Sequence, residues 1–188
     1  MKRTILLLLL CVFYSILRYR FFGDTASAQI PVFLLNKALA LASTLFLFLA
    51  ALSYRKENQD DLRHWGNASL HTASLHVLLS LAVFSKTYYP KLFDGGSMSL
   101  SGEIMILSGS LAAFSFYFLR KASENTSLQR FPPLLASLFL AIHTLSLGLK
   151  GWMPPQDWHG FLPPISLWGF VFSLLASLLF CPWIRRGR

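Results

Sequence analysis

Five histidines, His64, His71, His76, His143 and His159, are the side chains with the most chemistry to offer in this sequence of 188 residues. His71, His76 and His143 fall inside long apolar runs, where an ionisable group is costly and by default a candidate for function. No Asp or Glu accompanies them in those runs, so a carboxylate proton relay is not supported. Neutral imidazole, by contrast, is a good axial ligand for haem iron. Spacing then selects a pair. His76 lies thirteen residues after Arg63, and His143 lies thirteen residues after Arg130. At about 1.5 Å per helical residue, both rings sit roughly 20 Å beyond the basic residue that opens their run. Equal depth on two parallel helices is what a bis-histidine haem needs. His71, eight residues after Arg63, has no counterpart at its depth and is turned about 140° from His76 around the helix. The competing explanation for His76 and His143 is helix-to-helix hydrogen bonding, common for polar residues in membranes.

The elements that must hold such a pair are helices in a bilayer. The chain is 54% hydrophobic and only 13% charged, with 17 Phe against 8 Asp plus Glu, where a soluble domain carries about twice that charge fraction. Apolar runs approaching the ~20 residues of a bilayer span predict an all-α, polytopic bundle of six transmembrane helices. They cover about 4–22, 31–53, 66–85, 101–119, 131–149 and 163–183 in a single domain, 1–188. Pro31, Pro132 with Pro133, and Pro163 with Pro164 stand at helix openings, where a missing N–H costs little. Tyr54 to Asn67 reads as a polar loop, and Asp94-Gly95-Gly96-Ser97 as a turn. No GxGxxG or Walker pattern occurs. Cys11 and Cys181, both in apolar segments, make neither a CxxC nor a zinc motif.

The net charge of +9 encodes orientation, because its basic residues flank the apolar runs; nucleic acid is not an expected partner. With the N-terminus inside, eleven Lys and Arg fall on the inner side. Arg18, Arg20, Lys86, Lys91 and Lys150 fall on the outer side, and Lys37 lies within the second run. Both termini are therefore expected in the cytoplasm, in a plasma or bacterial inner membrane. Lys2, Arg3 and the run Ile5 to Leu17 resemble a secretory signal, with Ala26-Ser27-Ala28 as a cleavage site. Arg18 and Arg20 interrupt that pattern, so the run reads as a retained first span. Trp152, Trp158, Trp168, Tyr88 and Tyr89 read as an interfacial belt, and Gly109 with Ala113 as a small-residue packing pair.

Read in order, these residues resemble the membrane domain of the six-transmembrane epithelial antigen of the prostate (STEAP) metalloreductases, within the ferric-reductase-like haem proteins. Gly66 stands ten residues before His76, Gln129 fourteen before His143, and Glu103 six before Gly109. Ile30-Pro31 with Asn36-Lys37, Pro163-Pro164, and Cys181-Pro182 ahead of Arg185 complete the likeness. The family's paired Arg-Lys is reduced here to Arg63, and Pro133 replaces a glycine.

The resemblance implies one b-type haem with His76 and His143 as iron ligands, and a flavin (FAD or FMN) at the cytoplasmic face near Arg63, Gln129 and Arg130. It also implies an outer-face acceptor such as a ferric or cupric ion or chelate, and a homotrimer. The family's NADPH-binding domain has no counterpart in the sequence, so a cytoplasmic NAD(P)H or flavin reductase is the expected donor to what would be a metal-reductase component. The alternative is a cofactor-free membrane binding or assembly protein whose histidines only pack helices. A transporter is disfavoured, because neither an inverted repeat nor an interrupted helix pair is visible.

Overall fold

The computed structural model describes residues 2–23, 30–121 and 131–181, of which 84% are helical. Six long helices run in order: α1, Lys2–Ile16, continued by a π-turn at Leu17–Phe21; α2, Ile30–Arg55; α3, Gln59–Val83; α4, Leu100–Lys121; α5, Phe131–Gly148; and α6, Ile165–Phe180. They alternate in direction. At the lower end the Thr4 hydroxyl of α1 meets His64 Nε2 of α3 at 2.8 Å. There too, Arg55 at the end of α2 donates to the carbonyls of Leu178 and Cys181. At the upper end Tyr14 donates to the Pro163 carbonyl at 2.6 Å, tying the close of α1 to the opening of α6.

α2 is the central helix, packed against α1, α3 and α6, while α5 packs against α4 and α6. Small residues let it approach its neighbours closely: Ala38, Ala42 and Ala51 are fully buried, with Phe46 stacked on Trp65 of α3 at 5.6 Å. Serine hydroxyls turned back onto carbonyls of the preceding turn satisfy themselves in this apolar setting, and Ser69 instead crosses from α3 to the Ser43 carbonyl of α2. The helices thus form an open ring in the order α3, α2, α6, α5, α4. Its seam lies where α3 meets α4 only sparingly and α5 hardly at all.

Among the described residues, five segments are long and apolar enough to cross a membrane: Lys2–Phe21, Pro31–Arg55, Leu100–Phe118, Pro132–Gly151 and His159–Phe180. Their outward surface is apolar, with Leu6, Leu9, Phe13, Leu107, Phe114 and Leu178 all exposed. Both features are compatible with an integral membrane protein. The sixth helix, α3, falls short of the expected count in apolarity, although its 25 residues span about 37 Å. Gln59, Asp60, Asp61, Arg63, His64 and Asn67 fill its first turns, and His71 and His76 follow.

Those polar turns also correct the expected loop at 54–67. Helix α3 begins seven residues before the predicted start. Asn58 caps it by accepting the Asp61 N–H at 3.1 Å, and Asp60 and Asp61 complement its dipole. A polar stretch with capping chemistry is helical even where hydropathy reads loop. The expected turn at 94–97 is a two-residue hairpin between β1, Phe93–Asp94, and β2, Ser97–Met98. Gly95 takes the left-handed φ of 60° that such a turn requires.

Candidate functional site

Four helix ends converge beneath the upper loops. Asn36 lies six residues into α2, Met105 five into α4, His76 seven before the end of α3, and His143 five before the end of α5. In an alternating bundle these offsets place all four within about two turns of the same end.

His76 and His143 are treated alike. His76 Nδ1 donates to the Asn36 side-chain oxygen at 2.6 Å and approaches its backbone carbonyl at 3.2 Å. His143 Nδ1 donates to the Met105 carbonyl at 2.8 Å. A carbonyl oxygen can only accept, so the proton of each neutral ring is on Nδ1 and the lone pair on Nε2. Among the described residues neither Nε2 has a hydrogen-bond partner. A ring held through Nδ1 in this way leaves its Nε2 lone pair available to a metal or a donor.

The surroundings are equally specific. Asn36 is fully buried; it accepts from Ser80 at 3.2 Å and donates through Nδ2 to the Tyr89 hydroxyl at 2.8 Å. Burial holds the Tyr89 phenol above its ordinary pKa, against a smaller opposite pull from the Asn36 amide, so the hydroxyl stays neutral. Across the seam, a Cβ on Gly109 would lie 2.8 Å from His143 Nδ1 and 3.1 Å from its Cε1. Gly109 is therefore a close-packing position of α4 against α5, and what packs on it is the His143 ring. Lys37, half-buried, follows Asn36 on α2. Its ammonium sits 5.1 Å from the ring centres of both Phe33 and Tyr89.

The remaining candidates are dispersed. His71 and His159 are exposed. Arg63 is exposed near the lower end, one residue from His64, which with Thr4, Ile5, Asn67 and Ala68 lines a shallow depression of about 280 Å³. Gln129 and Arg130 lie outside the described residues, as do Ala26, Ser27 and Ala28. Of the five outer basic residues, Arg20, Lys86, Lys91 and Lys150 are exposed, whereas Arg18 is buried. Trp152, expected in an interfacial belt, is buried and donates to Ser166 of α6 at 3.0 Å. No group of three or more His, Cys, Asp or Glu that could hold a metal ion occurs among the described residues.

Sequence reasoning noted Asn36 only as part of a spacing pattern and missed its role as the acceptor for His76. A buried amide within an apolar run was the available signal. Tyr89 and the Met105 carbonyl carried no sequence signal, because only packing brings them to the histidines. Set against known protein families and curated proteins, the chain matches none.

Proposed function

We propose that this chain is a haem-b transmembrane electron-transfer protein, similar to the membrane domain of STEAP metalloreductases. In this reading it moves electrons from a cytoplasmic flavin or NAD(P)H-dependent reductase to an outer-face acceptor such as ferric or cupric ion. The observation that carries the proposal is the matched pair, His76 and His143, each with Nδ1 held by a carbonyl and Nε2 free, at one level of the bundle. The residues fit a haem: two neutral imidazoles that would hold its iron, a seam where α3 and α5 do not close on each other, and Gly109 leaving room for one ring. When bound, the haem supplies one-electron chemistry.

The chain's own residues have separate tasks. Asn36 and the Met105 carbonyl orient the rings and raise their basicity. The upper end, which bears Lys86, Lys91 and Lys150, is the outer side by the distribution of Lys and Arg, and its positive field favours an anionic metal chelate. At the lower, cytoplasmic end, Arg63 is the described candidate for a flavin contact; Gln129, and Arg130 as a phosphate partner, join it by sequence position alone. The bilayer around the five apolar helices and a homotrimeric assembly belong to the same proposal.

A second reading rests on the same hydrogen bonds. His76 joins α3 to α2 and His143 joins α5 to α4, which is what packing residues of a cofactor-free assembly protein would do.

One experiment separates the two. Protein purified from haem-replete cells should show a Soret band and the reduced α/β bands of bis-imidazole ligation, lost in His76→Ala and in His143→Ala and kept in His71→Ala. A colourless, folded preparation would refute the haem reading. Reoxidation of the dithionite-reduced protein by ferric chelate then tests the metalloreductase form.

A further inference from the structure

Lys37 is a cation whose surroundings the proposed function does not yet use. It lies one residue after Asn36, the acceptor for His76, with its ammonium between the faces of Phe33 and Tyr89. No carboxylate pairs with it among the described residues. Two aromatic faces stabilise an ammonium in an apolar setting without satisfying its N–H donors, which still seek an anionic acceptor. Phe33 also meets Tyr19 edge-on at 5.5 Å. Beyond Tyr19 lies Arg18, 5% exposed, with its Nε and Nη1 buried and unpartnered. The upper end thus carries two sheltered cations with no described counter-charge, and one of them, Lys37, lies against Tyr89, which is hydrogen-bonded to the same Asn36 that holds His76.

A sheltered cation without a counter-charge is costly, and an oxyanion entering the site offsets part of that cost. A porphyrin of the b type carries two carboxylates on one edge of an otherwise apolar plane, so a cation beside the histidine pair matches its chemistry. We propose that Lys37, held between Phe33 and Tyr89, is a carboxylate subsite that receives the acidic edge of the haem ligated by His76 and His143, an assignment that rests on the haem reading above. The subsite orients the porphyrin in its seam, because only one edge of the plane has charge to offer.

Reconstitution of the haem-free protein in neutral detergent tests this with two ligands, ferric protoporphyrin and its dimethyl ester, which lacks the carboxylates. Wild-type protein should release the free acid to an apo-globin trap about tenfold or more slowly than the diester, the size of a charge-assisted hydrogen bond. Lys37→Gln should abolish that discrimination while keeping the bis-imidazole spectrum, and Lys37→Arg should retain most of it. Equal release of both ligands from wild type, or discrimination unchanged in Lys37→Gln, overturns the subsite. The same oxyanion chemistry is available from a phospholipid headgroup. If Lys37 serves lipid instead, phosphatidylglycerol will stabilise wild type over Lys37→Gln with no difference between acid and diester, which also overturns the proposal. Failure of both ligands to give a bis-imidazole spectrum in folded wild type would remove the haem reading itself, and the subsite with it.

Discussion

Gly109→Ala is the sharpest perturbation of the histidine pair, because the added methyl lands on one ring and touches little else. The new Cβ would stand 2.8 Å from His143 Nδ1, where ordinary contact begins at 3.4 Å. The ring or α4 must therefore give way by about 0.6 Å, beyond the ~0.5 Å within which ligating groups have to be held. The same atom makes the 2.8 Å bond to the Met105 carbonyl on the neighbouring turn of α4, so displacement directly away stretches that bond toward the limit of a useful hydrogen bond. Overpacking of this kind costs about 1–3 kcal/mol, and the weakened bond adds about 1 kcal/mol. Expected outcomes are a melting temperature in detergent several degrees lower and haem retention reduced at least tenfold, with Ala113→Gly as a control one turn away on an exposed position. The stability loss concerns the ring's seat and is measurable without haem. Unchanged melting and unchanged haem retention in Gly109→Ala would refute the claim that this glycine exists to seat His143.

Asn36→Leu leaves His76 Nδ1–H and the Tyr89 hydroxyl without their partner; it should cost about 2–4 kcal/mol of stability and weaken haem binding about 10- to 100-fold, as read by denaturation and haem titration. Asn58→Ala removes the cap of α3 and should cost about 1 kcal/mol while leaving the haem spectrum unchanged. For orientation, cysteines placed at Lys86 or Lys91 in a background lacking Cys11 and Cys181 should react with an impermeant maleimide from outside intact cells. A cysteine at Lys56 should react only after permeabilisation, and the reverse pattern would invert the bundle.

Much of the fold was legible because apolar run length and proline position are local properties. The runs opened by Pro31, Pro132 and Pro163 became α2, α5 and α6 within a few residues of their expected limits. Helix α3 was misjudged at its start for an equally local reason: capping by Asn58 was outweighed by the polarity of the turns after it. Its polarity also leaves five helices, not six, that are membrane-like by composition.

The sequence by itself determined that this is a helical, membrane-compatible chain, and that His76 and His143 stand at matching offsets along their runs. Tertiary structure alone decided what each ring touches. The Asn36 side chain on α2 and the Met105 carbonyl on α4 reach the imidazoles only because the helices alternate in direction, bringing the first turns of two beside the last turns of two others. Gly109 has meaning only once α4 lies against α5. Lys37 stood out in the sequence as a cation within an apolar run, but only packing brings the Tyr89 ring over its ammonium. Periodicity and run length are encoded over a few turns of chain, whereas partners separated by 38 to 53 residues are chosen by packing.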